Sequence, residues 1–91
     1  MYEIEFSESA LKSFQKLDNS QLLQVAKALE SRRQNPHLAG SRLSGNLHGK
    51  YKIKLQALGL RVIYAVDDKR IVILVLTIGK RENDDAYRSA S

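Results

Sequence analysis

One run of eight residues, Ile71-Val72-Ile73-Leu74-Val75-Leu76-Thr77-Ile78, constrains the fold of this chain more than any other feature. It is apolar at odd and even positions alike. Successive side chains on a strand point to opposite faces, so a run of this kind predicts a strand covered on both. It is too short to span a membrane, which takes about 20 apolar residues in a helix. It therefore reads as the central strand of a sheet, and the rest of the chain must supply its neighbours and its cover.

The neighbours are legible from their periodicities. Tyr2, Ile4 and Phe6 alternate with Glu3 and Glu5, the pattern of a half-buried strand. Ser7 is placed to cap a helix, with Glu8 in the first turn where the helix dipole favours an anion. Ala10, Leu11, Phe14 and Leu17 make its apolar stripe. Asp18 and Gln21 have capping-box spacing and open a second helix. Its stripe is Leu22, Val25, Ala26 and Leu29, its last turn carries Arg32 and Arg33, and Asn35-Pro36 ends it. Residues 37–49, with Gly40, Gly45 and Gly49, read as a loop. Tyr51, Ile53 and Leu55 then alternate with Lys52 and Lys54. After a turn at Leu58-Gly59, the residues Leu60, Val62, Tyr64 and Val66 alternate with Arg61. Asp67-Asp68-Lys69 reads as the turn into the central strand, and a short helix is expected from about Asn83 to Ser89. The expected architecture is α+β in the order β-α-α-β-β-β-α: an N-terminal strand, a two-helix hairpin, then a mainly antiparallel three-stranded sheet with a short C-terminal helix.

With 91 residues, 43% of them hydrophobic, the chain supports one domain over residues 1–91 with one modest core. It has no cysteine, so disulfide and thiol chemistry are excluded. The acidic, alternating start is unlike a signal peptide, and a cytoplasmic protein without a membrane segment is expected. The formal net charge is +5, and it is unevenly placed. Between Ser31 and Val66 there is no Asp or Glu but there are seven Lys and Arg. Glu3, Glu5 and Glu8 lie at one end of the chain, and Glu82, Asp84 and Asp85 at the other. The basic field is thus a patch, as expected of a surface that binds a polyanion such as nucleic acid.

The patch centres on the hairpin. With a two-residue loop at Ala57-Leu58, paired positions sum to an odd number, and Lys54 falls opposite Arg61. Lys52, Lys54 and Arg61 then share one face; Tyr51, Ile53, Leu55, Leu60, Val62 and Tyr64 share the other, toward the helices. Directly opposed like charges destabilise a sheet by about 0.2–1 kcal/mol per pair, so either an anion offsets the repulsion or the long side chains only solvate an open face. Gly79-Lys80-Arg81 adds two cations at the end of the central strand. Tyr87 follows, able to stack on a base, take part in proton transfer or simply anchor the last turn. His37 and His48 lack the companions of a metal site, and no glycine-rich phosphate loop or zinc motif is present, so neither metal nor cofactor is expected.

Tyr51-Lys52-Ile53-Lys54-Leu55, Gly59-Leu60-Arg61-Val62-Ile63-Tyr64, and Gly79-Lys80-Arg81-Glu82 with Tyr87 resemble the RelE toxins of bacterial toxin–antitoxin systems. The resemblance covers nearly the whole chain, including Leu43-Ser44-Gly45 before the strands. It implies a ribosome-dependent endoribonuclease that enters the ribosomal A site on the small subunit and cuts mRNA there. It also implies a cognate RelB-like antitoxin, through which alone the toxin would meet operator DNA in transcriptional autoregulation. Carried over by position, Lys52, Lys54, Arg61, Arg81 and Tyr87 become the catalytic candidates. Arg32, Arg33, Arg42, Lys50, Lys80 and Arg88 are candidates for RNA and ribosome contacts. At Ser44 the chain departs from relatives that carry arginine there, and Arg42 is the nearest substitute.

Those residues suit RNA cleavage by the 2′-hydroxyl next to the scissile phosphate. Such an attack needs a base, charge stabilisation on the phosphorane, and an acid for the leaving 5′-oxygen. A lysine, with an ordinary pKa of about 10.4, serves as a base only where neighbouring cations favour its neutral form. Two alternatives remain: a ParE-like, non-enzymatic inhibitor of DNA gyrase on the same fold, and a module that binds RNA without cutting it.

Overall fold

The computed structural model describes residues 1–37 and 49–80. Its elements are β1 (Glu3–Phe6), α1 (Glu8–Gln15), α2 (Asn19–Gln34), β2 (Lys50–Leu55), β3 (Leu60–Asp67) and β4 (Val72–Lys80). The predicted C-terminal helix, the loop glycines Gly40 and Gly45, and Arg42, Arg81, Tyr87 and Arg88 lie outside the described residues. None of the described helices is long and apolar enough to cross a membrane.

The α+β class is as expected, and the sheet adds one detail. It has four strands in the order β1-β4-β3-β2. β2–β3 and β3–β4 are antiparallel, while β1 joins the far side of β4 in parallel, from Glu3 opposite Val72 to Phe6 opposite Val75. The sheet is therefore mixed, and β4 has a neighbour on each side, as its apolar sequence demands.

Both helices start where their caps dictate. The Asp18 carboxylate accepts from Gln21 N at 2.8 Å, and the Gln21 side chain accepts from Asp18 N at 3.1 Å, a complete capping box. Ser7 caps α1, its hydroxyl accepting from Ala10 N at 3.1 Å while donating to the Leu76 carbonyl at 2.8 Å. One hydroxyl thus fixes the helix start and ties it to the central strand. Ser7→Ala is expected to cost about 1–2 kcal/mol through the lost cap and the orphaned carbonyl. A urea titration should show the loss as a lower midpoint with an unchanged slope.

The core joins Ala10, Val25 and Leu29 from the helices to Tyr51, Ile53, Leu60, Val62, Tyr64, Ile73, Val75 and Ile78 from the sheet. Four sequence expectations shift here. Ala28, not Ala26, completes the α2 stripe, and Leu11 is exposed. The β2–β3 turn is longer than two residues: a 3-10 turn at Gln56–Leu58 closes on Gly59 at φ 64°, a left-handed conformation that favours glycine. Leu55 still pairs with Leu60, and two extra residues preserve the parity. Finally, Ile71 does not belong to the central strand. It sits in the turn at φ 59°, half exposed, a conformation unfavourable for a β-branched residue. Its carbonyl there accepts from Glu3 N at 3.0 Å and so starts the β1–β4 ladder.

β4 also carries a bulge. Ile63 pairs with Thr77 but Tyr64 pairs with Val75, so Leu76 is an extra residue without a partner on β3. The alternation changes phase there: Ile73 and Val75 face the core before the bulge, and Ile78 faces it afterwards.

Candidate functional site

The hairpin face is assembled as its parity predicts. Lys54 lies directly opposite Arg61, Lys52 opposite Ile63, and Lys50 opposite Ala65, which places Lys50, Lys52, Lys54 and Arg61 on one face. Tyr51, Ile53, Val62 and Tyr64 are buried on the other. Directly opposed residues have Cβ atoms about 4.5–5.5 Å apart, so Lys54 and Arg61 are immediate neighbours. The next residue across the sheet from Arg61 is Gly79 on β4. Among the described residues, the acids that share this face lie away from the cluster. Glu3 and Glu5 are on β1, three strand spacings or about 14 Å from β2, and Asp67 ends β3.

The electrostatic consequence falls on Lys52. Partial burial lowers its amine pKa below the ordinary 10.5, the Lys54 and Arg61 charges lower it further, and a hydrogen-bonding interaction with Lys54 adds to the shift. Each cause disfavours the ammonium. This amine takes up a proton less readily than a free lysine but is more available, unprotonated, as a base near neutral pH. Thr77, opposite Ile63 on the same face, is buried and was not anticipated as part of the surround.

The other cation candidates divide. Lys80 ends β4 opposite Leu60. Arg32 and Arg33 are on the helix side of the sheet, away from the lysine face. Arg32 donates to the Tyr64 hydroxyl at 3.1 Å, and Arg33 donates to the Tyr2 carbonyl at 2.8 Å and pairs with Glu30 at 3.0 Å.

A second polar cluster lies on that helix side, and periodicity gave no signal of it. His37 Nε2 and the Tyr2 hydroxyl both reach Asp68 Oδ1 at 2.7 Å, and His37 Nδ1 is 2.7 Å from the Tyr51 hydroxyl. Its members are 14 to 66 positions apart in the chain, beyond the reach of any local pattern. The hydrogen bonds from Tyr2 and His37 hold the Asp68 carboxyl below its ordinary 3.8. A depressed carboxyl stabilises the fold above its unfolded pKa and ceases to do so as pH falls through the folded one. Asp68→Asn is therefore expected to lower the melting temperature at pH 7, with the difference from wild type beginning to shrink near about pH 4 and disappearing only once pH has fallen through the lower folded value.

The chain matches, over residues 4–85, the family model described as the ParE toxin of type II toxin–antitoxin systems. A RelE-like toxin protein of Escherichia coli is 44% identical over 90 residues, covering 99% of this chain and 94% of the relative. The mRNA interferase toxin RelE of E. coli strain K12 is 36% identical over 89 residues, 98% of this chain and 93% of that protein. The crystal structure of the intact E. coli RelBE toxin–antitoxin complex superposes with a TM-score of 0.83 at 35% identity, covering 88% of this chain and 96% of the other. A sheet with this basic hairpin and these likenesses defines a toxin of a type II toxin–antitoxin system. Within that class, the chain belongs to the RelE family.

Proposed function

We propose that this protein is a ribosome-dependent endoribonuclease that cuts mRNA in the A site and so stops translation. The observation that carries the reading is the lowered amine of Lys52 beside Lys54 and Arg61. RNA supplies its own nucleophile. The Lys52 amine takes the proton from the 2′-hydroxyl, the 2′-oxygen bonds to phosphorus, and the bond to the 5′-oxygen breaks. Arg61 and Lys54 stabilise the charge on the phosphorane, Arg81 stabilises the departing 5′-oxygen, and the Tyr87 hydroxyl donates a proton to it. The products are a 2′,3′-cyclic phosphate and a 5′-hydroxyl. Dependence on the ribosome follows if the ribosome holds the mRNA in line for attack, a contribution that positioning alone can make large. The relative named mRNA interferase and the RelBE complex support this reading, and by the same likeness a RelB-like antitoxin is the inferred partner.

Induction followed by mapping of cellular mRNA 5′ ends is the test. New ends inside reading frames are expected, with purified protein cutting ribosome-bound mRNA far faster than free RNA. Equal rates with and without ribosomes would remove the ribosome from the proposal. The family model bears the ParE name, and the gyrase-inhibitor reading makes the opposite forecast in the same experiment: replication halts while mRNA stays intact.

A further inference from the structure

Lys52 and Lys54 stand on an edge strand. Among the described residues β2 is bonded only to β3, and edge strands are the parts of a sheet that open most easily. Catalytic groups have to be held within about 0.5 Å of their working positions. Something beyond the ladder must restrain β2, and the helix-side cluster is built to do so.

Tyr51, next to Lys52 in sequence, turns its ring to the helix side and is buried there. It stacks on Tyr64 with ring centres 5.4 Å apart and planes at 13°. Its hydroxyl is 2.7 Å from His37 Nδ1, and His37 Nε2 is 2.7 Å from Asp68 in the β3–β4 turn. Asp68 in turn accepts from Tyr2, just before β1. The residue before His37 is fixed as well, because the Tyr64 hydroxyl donates to the Pro36 carbonyl at 2.8 Å. His37 thus fastens the edge strand to the β3–β4 turn and, through Asp68, to Tyr2 before β1. We propose that His37 is a positioning residue for the Lys52–Lys54 pair, clasping β2 through Tyr51 to Asp68.

The chemistry of the bridge suits a permanent clasp. Asp68 is an acceptor, so Nε2–H donates to it. Nδ1 then faces a phenol, which donates to a neutral ring and accepts from a protonated one. The bridge is satisfied in either ring state. The other charged groups that α2 brings to the cluster, Arg32 and Arg33, are themselves bonded to Tyr64 and to Tyr2.

This inference rests on the ribonuclease reading, yet it has a readout that needs no RNA. The Lys52 amine reports its own surroundings, since partial burial and the nearness of Lys54 and Arg61 set its titration. In protein labelled with carbon-13 lysine, the Lys52 Cε resonance is followed against pH. His37 is not among the groups that set the Lys52 amine, so its removal acts there through position. His37→Ala should move the Lys52 titration up toward 10.5. Tyr51→Phe, which keeps the ring stack and loses only the hydroxyl, should do the same and decides the matter if His37→Ala fails to fold. Ser7→Ala, a destabilising change elsewhere, should leave Lys52 unmoved. On programmed ribosomes His37→Ala should cut about tenfold more slowly, within the hundredfold that a 1 Å misplacement can bring. An unmoved Lys52 in the folded variants, or one moved equally by Ser7→Ala, overturns the clasp. If Lys52 responds as expected while wild type cuts no ribosome-bound mRNA, the clasp stands and the ribonuclease reading falls.

Discussion

Replacing Arg61 with alanine is expected to slow single-turnover cleavage of ribosome-bound mRNA by about a hundredfold or more, the usual loss when one preorganised transition-state contact is removed. Two effects add. Arg61 lies directly opposite Lys54, and in the proposed mechanism its guanidinium stabilises the charge developing on phosphorus. It is also one of the charges that lower the Lys52 amine. Its removal should raise the Lys52 pKa and carry the rising limb of the pH–rate profile to higher pH, because the base works only when neutral. In wild type the rate should rise through the neutral range. Arg61→Lys should restore the charge but lack the planar fork that fits a phosphate, and recover only part of the rate. A hundredfold loss with an unshifted profile would leave Arg61 a phosphate contact without influence on the base. An unchanged rate would remove it from the chemistry altogether.

The largest expected loss of stability is at Tyr64. Its side chain is fully buried, stacked on Tyr51, and bonded at the hydroxyl to both Pro36 and Arg32. Truncating a buried aromatic to alanine costs about 3–5 kcal/mol. Domains as a class have only about 5–15 kcal/mol, and small ones tend toward the lower end. Tyr64→Ala should therefore leave little cooperative unfolding transition at 37 °C. Tyr64→Phe keeps the packing and orphans the Pro36 carbonyl, a loss of about 1–3 kcal/mol. Calorimetry on the pair separates packing from hydrogen bonding. A melting temperature for Tyr64→Ala within a few degrees of wild type would mean that this ring is not the hub of the core.

What could be read from sequence here was local or periodic. The caps at Ser7 and Asp18 depend on residues three apart, and the lysine face on parity along two strands joined by a short turn. Both were legible, and parity survived a turn of four residues because an even change in loop length leaves it intact. The partner of β1 was not legible, since Tyr2, Ile4 and Phe6 say which side is apolar but not which strand lies beside them. The division of the apolar run was hidden too. Nothing in its composition separates Ile71, spent in the turn, or Leu76, inserted as the bulge, from the six residues around them. The basic face was recognisable as a candidate site because like charges gathered on a sheet need a reason. The His37 clasp was not, because its members meet only once the chain has folded.

The bulge leaves a different kind of constraint on this protein. Leu76 is half-buried and pairs with nothing on β3, so by side chain alone it is one of the more replaceable residues of the central strand. Its removal would leave the ladder whole. With Leu76 gone, Thr77 follows Val75 directly, the pairs Tyr64–Val75 and Ile63–Thr77 become consecutive, and Thr77, Ile78 and Gly79 keep the sides of the sheet they have now. What the chain would lose is the Leu76 carbonyl that the Ser7 hydroxyl binds, so the length of the central strand answers to the start of the first helix and not to its neighbour in the sheet.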